Sequence, residues 1–154
     1  MLEFSNSIVI DSPLEEVFAF LAELENVPKW NYYVLQVHKL TPGPVDVGTK
    51  YHQVRKTDEQ TLVIREFEPP YNLVVETTTD SRPQLKMRFN LRSEGTGTRL
   101  NDHWKLDTGQ PALLEKLAGG KVKAAVADNL GMLKTLLENG AVVLQDGRQV
   151  SVER

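Results

Sequence analysis

Polar and apolar residues alternate from the start of the chain. Phe4, Asn6, Ile8 and Ile10 share one parity, and Glu3, Ser5, Ser7 and Val9 share the other. Period two of this kind predicts a half-buried strand over residues 4–10. The period lengthens after Asp11-Ser12-Pro13. Leu14, Val17, Phe18 and Leu21 then fall on one helical face, with Glu15 and Glu16 near its positive end. Asp11 or Ser12 suits the cap, and Pro13 suits the first turn. Pro28, in Asn26-Val27-Pro28-Lys29-Trp30, ends this helical region or separates it from a second short turn.

Six further strands are predicted, over 34–40, 49–56, 62–67, 71–79, 85–92 and 98–106. Turn residues separate them at 41–44, 57–60, 80–83 and 94–97, and Pro69-Pro70 marks a corner. The alternation is cleanest where Leu85, Met87, Phe89 and Leu91 interleave with Lys86, Arg88, Asn90 and Arg92. A long helix follows Pro111. Its apolar stripe comprises Leu113, Leu114, Leu117, Val122, Val126, Leu130, Leu133, Leu136 and Leu137. Gly119-Gly120 predicts a kink or a break, and Asn139-Gly140 predicts the end. Residues 141–144 read as a short strand, a packed tail or a contact surface, and residues from Gln145 onward read as mobile.

The order predicts one α+β domain over 1–140 with a tail over 141–154. The 154-residue length suffices for one sizeable core. A net charge of −3 leaves no overall electrostatic footprint for nucleic acid or acidic lipid. No apolar run reaches membrane-spanning length, so no membrane insertion is expected. Cysteine is absent, which excludes disulfides and thiolate chemistry. With no signal-peptide pattern at the N-terminus, a cytoplasmic location is the expectation. His38, His52 and His103 lack close ligand spacing, so neither a metal nor a cofactor is expected.

A curved sheet closed by a long helix encloses space along its inward parity. Asp102 shares parity with Thr98, Leu100, Trp104 and Leu106, which directs a carboxylate inward, as a proton carrier or as a structural acceptor. Glu66 shares parity with Leu62 and Ile64, while Arg65 and Phe67 share the other; it is a candidate partner for an acid–base pair, or else lies on a solvated edge or in a salt bridge. His52 and Tyr32 complete the catalytic candidates. Asn6 offers a donor and an acceptor from an apolar face. Trp30 and Tyr33 are candidates for the cavity mouth, with Trp30 equally a packing anchor. Val75, Thr77, Met87, Phe89 and Trp104 are candidate walls, and Leu130, Leu133 and Leu137 are candidate contacts from the helix.

The strand, two short helices, six strands and long helix resemble the START-like superfamily, also called Bet v 1-like or SRPBCC. The resemblance rests on the run Ile8 to Leu21, on Asn26-Val27-Pro28-Lys29-Trp30, on Gly48 before a strand, on Glu66 to Leu73 and on Asn129 to Glu138. It covers about residues 2 to 139 and is greatest to the bacterial polyketide cyclase/dehydrase group. It implies a helix-grip fold: a curved antiparallel sheet of about seven strands wrapped around the C-terminal helix. It also implies binding of a small hydrophobic or aromatic molecule (a lipid, polyketide or aromatic metabolite). The alternatives are a cyclase or dehydratase using pocket acids, and a protein-interaction or co-chaperone-like module in which residues 141–144 pair with a sheet edge or form a homodimer contact.

Overall fold

A computed structural model describes residues 1–152. Seven antiparallel strands form one sheet: β1 (Leu2–Ile10), β2 (Val34–Lys39), β3 (Lys50–Arg55), β4 (Glu59–Glu68), β5 (Asn72–Thr77), β6 (Gln84–Glu94) and β7 (Gly97–Asp107). Their spatial order is β1-β7-β6-β5-β4-β3-β2, so the first strand pairs with the last of the seven. Helix α1 (Leu14–Ala22) and a 3-10 helix (Leu24–Lys29) lie between β1 and β2. The long helix α2 (Ala112–Asn139) crosses the concave face, giving the helix-grip fold.

Local chemistry sets the element ends. Pro13 takes the cap position of α1, and neither Asp11 nor Ser12 makes a capping hydrogen bond. The Asp11 N–H instead donates to Glu138 Oε2 at 2.7 Å, which ties the end of β1 to α2. Gly140 closes α2 in the left-handed region at φ +80°, its N–H donating to the Leu136 carbonyl. The helix runs through Gly119-Gly120 without the expected break. Gly119 has a packing reason: a Cβ there would stand 3.1 Å from Leu2 Cδ2.

Burial along α2 is uneven. Val126, Leu130, Leu133 and Leu136 enter a core with Val17, Phe18, Leu21, Ile64, Leu73 and Leu100. Leu113, Leu114 and Leu117 do not face the sheet as the stripe predicts; they are exposed. Beyond Gln145, in the stretch predicted to be mobile, the chain forms a further short strand ending at Ser151. β8 (Ala141–Val143) pairs with β9 (Gln149–Ser151), while Val142 and Leu144 are buried in the main core. Residues 153 and 154 lie outside the described residues. No helix among those described is long and apolar enough to cross a membrane.

Candidate functional site

Between the concave sheet and the middle of α2 lies a cavity of about 430 Å³. β6 and β7 supply Leu85, Met87, Phe89, Asp102, Trp104 and Leu106. These are the inward residues of two strictly alternating strands in register, with Met87 opposite Trp104 and Phe89 opposite Asp102. The 3-10 helix and the segment after it add Leu24, Val27, Trp30, Asn31, Tyr32 and Tyr33. From α2 come Lys121, Val122, Ala125, Val126 and Asn129, and from β3 come Gln53 and Arg55. The walls are mainly apolar and aromatic, with few polar groups, as in small-molecule sites.

Asp102 is the one carboxylate in the lining and is only 2% exposed. Trp104 Nε1 donates to its Oδ2 at 2.9 Å, and Oδ1 has no partner among the described residues. Burial pushes its pKa up to about 7, against the opposing effect of the Trp104 N–H. The carboxyl group therefore exchanges a proton near neutrality. Trp30 is also buried, and its Nε1 likewise has no partner. Arg55 is held by Asp58 through two bonds of 2.6 Å, with its guanidinium 5.6 Å from the Tyr33 ring centre. The Tyr33 hydroxyl meets Thr57 Oγ1 at 2.7 Å. Lys56 Nζ lies 4.9 Å from the Tyr32 ring centre.

Two acid–base candidates lie elsewhere. Glu66 does not face Asp102. A bulge between Ile64 and Glu66 leaves Arg65 unmatched to β5 and reverses the parity. Glu66 reaches the outer face and bonds Arg88 Nη1 at 2.7 Å and Asn72 Nδ2 at 2.7 Å, which hold its carboxyl below the usual range. His52 is also outside. Tyr51 and Gln53 take the inward parity of β3, leaving His52 half-exposed near Glu59.

The remaining binding candidates divide in the same way. Trp30, Tyr32, Tyr33, Met87, Phe89 and Trp104 line the cavity. Asn6 does not; its Nδ2 donates to the Lys123 carbonyl and ties β1 to α2. Val75 is core, and Thr77 Oγ1 accepts the Leu85 N–H at 2.9 Å, so both stabilise the sheet. Leu130 and Leu133 are fully packed, and Leu137 packs at the edge of the core. The helical contacts come from one to three turns earlier. Asn129 and Lys121 were readable only from where the cavity sits along α2. Gln53 follows once the Tyr51 parity of β3 is known.

The chain matches the family described as "Polyketide cyclase / dehydrase and lipid transport" over residues 1–138. No curated protein matches it. Several solved structures share the fold. A hypothetical protein, jhp0584 from Helicobacter pylori, aligns with a TM-score of 0.72 at 11% identity, covering 88% of this chain and 87% of that one. The di-domain ARO/CYC StfQ of the steffimycin biosynthetic pathway aligns at 0.71 and 13%, covering 89% of this chain and 50% of StfQ. DR_A0006 from Deinococcus radiodurans aligns at 0.67 and 14%, covering 90% and 98%. On the match across nearly its whole length, this chain belongs to the polyketide cyclase / dehydrase and lipid transport family.

Proposed function

We propose that the protein binds a small, largely apolar, ring-bearing molecule between its sheet and α2. The observation that carries this reading is the 430 Å³ cavity walled by Trp30, Phe89, Met87 and Trp104. Flat aromatic walls favour stacking on a ring, and the low density of charge disfavours a strongly ionic ligand. The family description, which names polyketides and lipids, supports the same chemical range. Both tryptophans of the chain line the cavity, so their emission is a direct reporter of occupancy. Native mass spectrometry of the purified chain, followed by denaturing extraction, tests the reading. A stoichiometric organic adduct that shifts tryptophan emission when added back supports it. No adduct, together with unchanged emission across a panel of aromatic and lipid probes, rejects it.

A second reading is favoured by one side chain. Asp102, with a pKa near 7, suits proton transfer to or from a bound carbonyl compound, as a cyclase or dehydratase requires. Tyr32 is the other candidate at the cavity, and neither Glu66 nor His52 supports it. Loss of turnover with retained binding in Asp102→Asn is the expected result for this reading, and unchanged turnover rejects it.

A further inference from the structure

We propose that the solvent-facing side of the first three turns of α2 is a docking surface for an anionic lipid bilayer. Leu113, Leu114 and Leu117 are 69%, 52% and 72% exposed. Residues three and four apart share a helical face, so these leucines form one patch across adjacent turns. Single exposed leucines are ordinary on a protein surface; three grouped on one helical face are less so. Their outward direction is fixed from behind. Glu115 is buried on the opposite face, accepting from the Thr108 N–H at 2.8 Å and the Thr108 hydroxyl at 2.7 Å. Gly119 and Val122 pack on the same side, against Leu2 and its neighbours.

Charge selects the occupant. From 110 to 128 the chain carries Lys116, Lys121 and Lys123 against two acids, the buried Glu115 and, at the far end, the exposed Asp128. None of the three lysines is ion-paired with a described residue. The protein as a whole is negative, so this segment is a local cationic exception. An apolar crest flanked by lysines is the pattern of a helix lying in the headgroup plane, with leucines toward the acyl region and ammonium groups among phosphates. A two-fold contact through the same face would set the lysines of one copy against those of the other, which is unfavourable. Lys121, Val122 and Ala125 also line the cavity. The docking surface goes beyond ligand binding and stands on the helix surface alone.

The test is co-sedimentation of the full chain with phosphatidylcholine vesicles, with and without about one-third phosphatidylserine, at ~0.05 and ~0.5 M salt. Binding to the anionic vesicles at low salt is expected, with at least roughly tenfold weaker binding by L113S/L117S and by K116E/K123E. Tryptophan emission serves as the folding check, since none of these four residues lines the cavity. Equal binding to both vesicles, no binding by the wild type, or retained binding by both double variants overturns the proposal. So does a dimer that L113S/L117S abolishes in a chain that ignores vesicles; that result assigns the face to a second copy. The vesicle test needs no ligand and the adduct test needs no vesicle, so either reading fails independently of the other.

Discussion

Asp102 places a carboxyl group in an apolar wall with one hydrogen bond, and its titration is a measurable property of the fold. Its folded pKa of about 7 lies above the unfolded value of about 3.9. Between those values the folded chain holds a proton that the unfolded chain has released, so stability falls as pH rises. The loss reaches on the order of 4 kcal/mol and is complete above pH 7. Asp102→Asn keeps an acceptor for Trp104 Nε1 and removes the titration. Urea unfolding at pH 4.5 and pH 8 is expected to show the variant gaining on the wild type at the higher pH; an unchanged difference refutes the shift. Two glycines give a second residue-scale prediction, in opposite directions. A Cβ on Gly97 would lie 2.5 Å from the Ile10 carbonyl oxygen, so Gly97→Ala is expected to cost about 1–3 kcal/mol. A Cβ on Gly131, inside α2, meets nothing within 4 Å, so Gly131→Ala is expected to gain up to ~1 kcal/mol. Thermal melts of the two variants decide both. Asp102 was legible in the sequence because β7 alternates strictly. Glu66 stayed ambiguous between an inward acid and a salt bridge because one bulge residue, Arg65, inverts the parity of β4, and nothing in the composition there announces it.

At the scale of elements, the C-terminal hairpin supports the site wall. Leu144 is buried in the core, and Arg148 Nη2 donates to the Tyr32 carbonyl at 2.8 Å. Asp146 binds Lys56 at 3.3 Å, and Gln145 Nε2 donates to Asn129 Oδ1 at 3.2 Å. The hairpin thus braces Tyr32 and Asn129, two lining residues. Leu144→Ala is expected to destabilise by about 2–4 kcal/mol through a core cavity. Arg148→Ala, on a partly exposed side chain, is expected to cost under about 1 kcal/mol while weakening ligand affinity through Tyr32. Denaturant midpoints and fluorescence titrations separate the two effects, and equal stability losses would refute the division. The strands and helices themselves were largely readable, since turn residues punctuate them and Gly140 ends α2. The working length of α2 was not. Its apolar stripe continues over Leu113 to Leu117, but the sheet meets the helix fully only from Val126 onward, and a periodic pattern does not say where its partner stops.

For the whole molecule the cavity is an energetic problem as well as a site. Void beside a truncated core side chain costs ~24 cal/mol per Å³, so 430 Å³ at that rate would cost about 10 kcal/mol. That equals the entire stability of an ordinary domain. Filling that space with water or a ligand lowers this cost. An apolar ligand returns the lost contacts and releases that water, and it binds only the folded chain. At a hundredfold excess over Kd it adds about 2.7 kcal/mol, or roughly 5–10 °C in melting temperature at this chain length. Val122→Phe enlarges a side chain at the lining on α2. If the cavity is the binding site, this variant melts at or above the wild type without ligand and loses most of the ligand-induced rise. Scanning calorimetry of both chains, with and without the extracted adduct, makes the comparison. A full ligand-induced rise in Val122→Phe would move the site out of the cavity, because a ligand bound elsewhere is indifferent to how that space is filled.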